Sequence, residues 1–358
     1  MINSCWKILA VNPGSTSTKL AVFEGMQAVF RKTLEHSESE LKSFDRVLEQ
    51  CHYRLQLIKQ ALLEVGINIE RMNAVVGRGG LLKPLSGGTY AVNELMLSDL
   101  ARAEYGEHAS NLGAVIAKML ADSIGVQAYI VDPVSVDELE PVARISGHPQ
   151  LPRASMSHAL NTKAVAHSYA NSIGRKYEEL NLIVAHLGSG ISVSAHRSGK
   201  MIDLNDSRQE GPFAPDRSGT LPTQSLVRMC FSGEYSERQI LKMLFGEGGI
   251  YAYLGTKDMR EVEQLAAAGN AQADLLIRAM AYQVAKEIGA QATVLCGAVD
   301  AIILTGGMAY SELVVKLICE RIQFIARVIV MPGEEELDAL AAGVIRVLNA
   351  EEGAQLYL

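Results

Sequence analysis

The chain has 358 residues, 48% hydrophobic and 6% aromatic, with 33 Lys and Arg against 40 Asp and Glu for a formal net charge of −7. That length suits two domains with separate cores, and plentiful aliphatics with few aromatics favour α/β layers over an all-β sandwich. The acidic balance and the lack of a long basic run exclude nucleic acid as the main partner, and no apolar run reaches bilayer-spanning length, so no membrane role is expected. The five cysteines (Cys5, Cys51, Cys230, Cys296 and Cys319) are odd in number and lack metal-ligand spacing. Reduced thiols with packing roles are expected, in a soluble cytoplasmic protein, because no basic and apolar leader precedes Asn12.

In chain order, strands are expected over 6–11, 18–24 and 27–33, followed by an amphipathic helix over 44–65 that Gly66 stops. Residues 72–80 read as a short strand running into the glycine turn Val76-Gly-Arg-Gly-Gly80. A helix over 109–124 and a buried strand over 127–132, ending in Asp132 and Pro133, complete the first half. The Pro-, Gly- and Ser-rich stretch 141–152 reads as a loop. Helix 159–173 is expected to cross between domains, and the pattern then starts again at Asn181. Strands are followed by helices near 223–231, 236–246 and 270–292, a strand at 301–304, a helix at 311–324 and a strand at 327–331. A last helix over 334–348 crosses back, which leaves the N-terminal domain discontinuous and defines a cleft with hinged closure.

One local pattern occurs twice. Ile8 to Gly25 and Ile183 to Gly199 each read as an apolar strand, a Gly/Ser turn and an alternating strand, and aligning Gly14 with Gly188 superimposes them. Such a turn offers backbone N–H groups and short hydroxyls to a phosphate chain. Either segment alone reads equally as a tight hairpin. Together with a third glycine turn at Gly306 and Gly307, they point to a duplicated fold gripping one polyphosphate. No G-x-x-x-x-G-K-[ST] occurs, which excludes a P-loop. Gly188-Ser-Gly190 continues as a strand where a dinucleotide fingerprint requires a helix.

These turns resemble the acetate/butyrate kinase family, within the superfamily of acetate and sugar kinases, heat-shock 70 proteins and actin. The resemblance runs nearly the whole chain. It rests on Asn12-Pro-Gly-Ser-Thr-Ser-Thr-Lys19, Val76-Gly-Arg-Gly-Gly80, Val131-Asp-Pro133, Ser157-His158, Ala185-His-Leu-Gly-Ser-Gly190, Asp216-Arg-Ser-Gly219, Lys257-Asp-Met-Arg260, Leu304-Thr-Gly-Gly307 and Pro332-Gly-Glu-Glu-Glu-Leu337. The first of these has the form of the butyrate branch. The resemblance implies two ribonuclease H-like domains of the actin-like ATPase fold around a nucleotide cleft, residues 1–157 with 336–358 and residues 158–335. It implies reversible, ATP- and Mg²⁺-dependent phosphorylation of butyrate or a related short-chain carboxylate by direct in-line transfer, in a homo-oligomer of two or more copies.

Arg78 and Arg217 stand beside glycine, where a guanidinium can fork onto a carboxylate or a transferring phosphoryl group, although most arginines are solvated. By resemblance, Asp132 positions magnesium, Asn12 and Glu335 lie near metal and phosphates, and Ser15, Ser17 and Lys19 line the first turn. His186, Gly188, Ser189 and Gly190 reach the β- and γ-phosphates. Asp258, Arg260, Gly306 and Gly307 fall on the adenosine side, though Asp258 is equally an ordinary helix N-cap. The sequence departs from the acetate kinases in two places. Their His-Gly-Thr-Ser-His string reads Ala154-Ser-Met-Ser-His158 here, so either His158 is structural or Arg153 or His186 supplies the phosphoryl contact. Gly80 replaces a branched aliphatic beside the acetate methyl, which is expected to lengthen the acyl pocket. Rival readings are an acetate or propionate kinase, a sugar kinase with a general-base Asp, and a non-metabolic actin-like ATPase.

Overall fold

The computed structural model describes residues 6–358, so Cys5 lies outside it. The chain opens with an antiparallel meander, β1 (Lys7–Pro13), β2 (Ser17–Glu24) and β3 (Gln27–Glu35). The short α1 (Glu38–Leu41) is held by a Ser37–Glu40 capping box. Then come α2 (Cys51–Glu64), β4 (Ala74–Arg78), β5 (Thr89–Ala91), α3 (Glu94–Arg102), α4 (Asn111–Ile124) and β6 (Gln127–Val131). Helix α2 starts later than expected because Val47–Gln50 forms a tighter 3₁₀ turn ahead of it. Gly66, at φ +69°, supplies the stop.

The pattern restarts with α5 (Ala159–Ser172), β7 (Asn181–Leu187), β8 (Ile191–Arg197) and β9 (Lys200–Leu204). It continues through α6 (Thr223–Cys230), α7 (Glu237–Leu244), α8 (Gly249–Leu254), α9 (Met259–Ala267), α10 (Ala271–Val294), β10 (Ala301–Gly306), α11 (Glu312–Ile322) and β11 (Val328–Pro332). The chain ends with α12 (Glu336–Leu348) and β12 (Gln355–Leu356).

These elements form two compact units, one of residues up to Val136 with Glu335–Leu358, the other Asp137–Glu334. Among the described residues the first holds a seven-stranded sheet ordered β12-β5-β6-β4-β1-β2-β3, and the second a five-stranded sheet ordered β11-β10-β7-β8-β9. In each, the first strand sits between its antiparallel hairpin partner and a parallel crossover strand. Such central strands are covered on both faces, which is why Ile8–Val11 and Leu182–Ala185 are unbroken apolar runs with every residue buried. In the first unit Leu9, Val11 and Val22 pack with Ile58 of α2 and Ile116 and Leu120 of α4. In the second, Ile183 and Val193 pack with Ile277, Val284 and Ile288 of α10 and Ile318 of α11, while Ala166 and Ala170 of α5 cover the other face beside Val184 and Ile303.

Residues 137–157, expected in the N-terminal domain, group with the second unit. Their charges are answered there: Glu138 pairs with Lys163 at 3.0 Å, both 5% exposed, and Arg153 pairs with Asp203 at 2.9 Å and Glu210 at 3.0 Å. Among the described residues no helix is long and apolar enough to cross a membrane.

Candidate active site

In the first unit, β1, β4 and β6 run parallel as neighbours, so their C-terminal ends share one edge of the sheet. Asn12, Arg78 and Asp132 stand on that edge because Asn12 is the last residue but one of β1, Arg78 ends β4 and Asp132 directly follows β6. Open α/β sheets bind ligands outside the carboxyl ends of their strands. Asp132 is buried at φ +38°, and its Oδ1 accepts from the Gly88 N–H at 2.7 Å. Ser15 is exposed in the β1–β2 turn, Ser17 half-buried at the start of β2, and Lys19 exposed on β2 opposite Asn12.

The carboxylate at this edge is Glu336 rather than the expected Glu335. Glu336, the first residue of α12, accepts from Asn12 Nδ2 and pairs with Arg78 Nη1. Glu335, one residue earlier and so about 100° around the helix, is 72% exposed and stands 3.7 Å from Arg31. A hydrogen bond shared with Asp338, burial and repulsion from Asp338 raise the Glu335 carboxyl above its ordinary range. Arg78 is also less open than a surface turn, with its side chain 23% exposed.

Gly80 is corrected as well. A Cβ there would lie 2.5 Å from both Cα and Oδ1 of Asn111, at the start of α4. The missing side chain admits the backbone of α4 and opens no acyl pocket at that point. Gly77 serves the same approach, since its Cβ would meet the Gly113 carbonyl oxygen at 2.0 Å. The Gly-Arg-Gly-Gly string therefore seats α4 on β4 and so holds Arg78 in place.

In the second unit, β7 delivers His186 to the start of the repeated turn. The residue is 1% exposed, its Nδ1 lies 2.8 Å from Asn161 Oδ1 of α5, and its Nε2 stands 3.1 Å from Glu334 Oε1 without hydrogen-bonding geometry. The His158 ring stacks on it with centroids 3.8 Å apart and planes 10° from parallel, and His158 Nδ1 lies 2.9 Å from Ser192 Oγ. His158 thus supports His186 from behind. A Cβ on Gly188 would crowd His186 Nε2 at 2.9 Å and Glu334 Oε1 at 3.1 Å, so glycine lets both reach the turn.

Arg217 lies on the same turn, for a Cβ on Gly190 would fall 2.1 Å from its Nη1. It is not an exposed residue: its side chain is 15% exposed, its Cζ sits 4.5 Å from the Phe245 ring centroid, and Nη1 donates to Ser207 Oγ at 2.9 Å. Its buried Nε has no hydrogen-bond partner among the described residues. Burial lowers its pKa and raises that of neighbouring Asp216. Arg153, weighed as an alternative phosphoryl contact, is committed elsewhere: it donates to the carbonyls of Ala143 and Leu204 as well as to its two acid partners.

Gly188, Ser189, Asp258, Arg260, Gly307 and Glu334 line a cavity of about 590 Å³. Asp258 caps α9, accepting from the Arg260 N–H at 3.0 Å and pairing with its guanidinium at 2.7 Å, which holds the carboxyl down at about 2. The N-cap role is therefore real, and it also puts both side chains on the cavity wall. Gly306, at φ +88°, exchanges backbone hydrogen bonds with Gly333, while Gly307 has open space where a Cβ would be. Sequence reasoning missed Glu336, Glu334, Asn161 and Phe245. Only the first two carried a signal, as members of the acidic run that ends Pro332–Leu337.

A model of the acetokinase family matches residues 153–338. Butyrate kinase 2 of Clostridium acetobutylicum is 53% identical over 353 residues, covering 98% of this chain and 99% of that one. Among solved structures, the acetate kinase of Porphyromonas gingivalis superposes with a TM-score of 0.77 at 18% identity, over 95% of this chain and 99% of that one. A propionate kinase from Francisella tularensis gives 0.74 at 20% identity, over 94% and 98%. At these identities the structures speak for the fold alone, which is the actin-like ATPase fold.

Proposed function

The chain belongs to the acetokinase family, and from that premise we propose that it is a butyrate kinase, transferring the terminal phosphoryl group of ATP to a short-chain carboxylate and back. The observation that carries this reading is Arg217. A buried guanidinium whose Nε stands 3.8 Å from Asp216 Oδ1 but makes no hydrogen bond, laid against the glycine of a phosphate-type turn, has donors left for an anion. A carboxylate substrate is already ionised at neutral pH, so no general base is required. Catalysis then reduces to positioning and charge neutralisation.

In the first unit Arg78, braced by Glu336, is a donor for a carboxylate or a phosphoryl group, and in the second unit Arg217 is another. His186 and the amides of Gly188 to Gly190 take the β- and γ-phosphates. Gly307 and the Asp258–Arg260 pair form the adenosine side of the cavity.

Among the described residues no three His, Cys, Asp or Glu side chains form a ready-made metal cage. Mg²⁺ carried on a nucleotide needs only one or two carboxylates with water and phosphate oxygens. Asp132 and Glu336, with the Asn12 amide oxygen, are hard donors on one sheet edge and fit that requirement. When bound, the ion neutralises charge on the phosphates. The largely exposed helices α6 and α7 and the residue that follows α6, with Val227 54%, Phe231 87% and Leu241 55% exposed, support a homo-oligomer. The free thiols of Cys51, Cys230, Cys296 and Cys319 support a cytoplasmic setting.

The test is kcat/KM for acyl phosphate formation across linear and branched C2 to C5 acids. Butyrate or a branched neighbour is expected at the maximum. A profile led by acetate or propionate would reassign the substrate, and carboxylate-independent ATP hydrolysis would sink the kinase reading.

A further inference from the structure

Helix α2 buries a positive charge behind the first turn. Arg54 is 1% exposed and forms no ion pair among the described residues. Its Nη1 donates to the Gly14 carbonyl at 2.8 Å, the Ser17 carbonyl at 3.0 Å and Thr18 Oγ1 at 3.0 Å. Its Nη2 donates to the Ser15 carbonyl at 3.2 Å and Gln50 Oε1 at 2.8 Å, and its Nε to Gln50 Oε1 at 3.1 Å. The Thr16 carbonyl accepts from the His36 N–H at 2.8 Å. Every carbonyl from Gly14 to Ser17 is thus bound by a donor of this chain, while the side chains of Ser15 and Thr16 are exposed.

A charge buried with neutral partners is costly, and a neutral donor could brace the turn without that cost. What the cation adds is a field. An anion meeting the outer side of this turn finds the exposed hydroxyls of Ser15 and Thr16, with the turn's carbonyls held by donors of the chain and a positive charge behind. The same charge, second to burial, keeps the neighbouring His36 neutral down to about 4.

We propose that Arg54 is a positioning residue for phosphate: its fork draws in the carbonyls of the Gly14–Ser17 turn, and its unpaired charge makes the turn's outer face a seat for the nucleotide's terminal phosphate. This rests on the reading that the first turn meets the nucleotide.

Gln50→Glu tests it, because the substitution is isosteric, keeps the acceptor for Nε and Nη2, and neutralises the charge. The variant is expected to melt at or above the wild-type temperature. It should bind MgATP at least about tenfold more weakly by calorimetry without carboxylate present, the effect of one charge about 12 Å from a phosphate at an effective dielectric near 20. The KM for butyrate is expected to stay within about twofold. A folded variant with unchanged MgATP affinity overturns the proposal, as does one that melts lower, since Arg54 would then not lack a counter-charge. Arg54→Lys gives a second check, for it keeps the charge and should hold MgATP affinity within about threefold while kcat falls; a Lys variant as weak as Gln50→Glu also overturns it. Failure of the wild type to form any acyl phosphate, with MgATP binding still dependent on residue 50, would remove the carboxylate reading and leave this one standing.

Discussion

The two repeated turns are each packed against an arginine, and the two arginines behave differently. Arg54 approaches the first turn from the core and spends all three nitrogens on carbonyl, hydroxyl and amide acceptors of the chain. Arg217 lies over the second with one nitrogen bound to Ser207, its face on Phe245 and its Nε paired at 3.8 Å with Asp216 but making no hydrogen bond. A saturated guanidinium shapes a backbone, whereas one with donors to spare is available to a ligand. Spare hydrogen-bonding capacity, rather than burial or nearness to glycine, separates the two.

The largest expected effect tests that contrast directly. Arg217→Ala should lower kcat/KM for acyl phosphate formation by about 10³-fold, the loss seen when a transition-state arginine is removed. Arg217→Lys should recover little, because the planar fork is gone. Near-wild-type turnover in the alanine variant would erase the distinction between the two arginines.

The acids at the end of Pro332–Leu337 sharpen the comparison next. Glu336→Gln is expected to raise the Mg²⁺ concentration for half-maximal rate by about 10- to 100-fold, as loss of a supporting carboxylate does. Glu335→Gln should leave it within about twofold, since that side chain is mostly exposed. The reverse ranking in a magnesium titration would restore Glu335 to the site.

Glycines at the two sites should also fail in different ways. Gly80→Val drives a side chain into the backbone of α4 and should lower stability by about 3 kcal/mol or more, read from the urea midpoint. The atoms nearest a Cβ on Gly190 belong to the Arg217 guanidinium rather than to backbone, so Gly190→Ala is expected to fold and to lose activity by displacing that group. A stable Gly80→Val variant with altered acyl selectivity would return the pocket to that turn.

The smallest effect is on pH. Burial, and then the Arg54 charge, lower the His36 pKa from 6.5 to about 4. The unfolded chain takes up this proton below about pH 6.5 and the folded chain does not, so the contribution is fully present above 6.5 and is lost as pH falls through 4. It amounts to at most about 3 kcal/mol. His196, fully buried between Tyr177 and Ser194 with its pKa held well down by burial, acts in the same direction. Urea midpoints measured from pH 7 to 4 should fall, and less steeply in His36→Gln; parallel curves would dismiss the His36 share.

The sequence by itself determined the duplicated hairpins, the apolar central strands and the placing of Asn12, Arg78 and Asp132 at strand ends. Those features follow from local periodicity, because alternation, unbroken apolar runs and glycine turns are written within a few residues. The three-residue β5 and the two-residue β12 are too short to show a period, and they exist because neighbouring strands supply their hydrogen bonds. Tertiary structure alone decided which acid joins Arg78, since one step around the start of α12 exchanges Glu335 for Glu336. It alone decided what Gly80 is for, because the clashing atoms belong to Asn111, far along the chain. Arg54 reads in sequence as an ordinary helical arginine, and only the packing of α2 behind the first turn turns it into a buried cation. Residues distant in sequence meet through the stacking of helices on sheets, and that stacking, which no short window of sequence records, determines which polar groups are satisfied and which are left for a ligand.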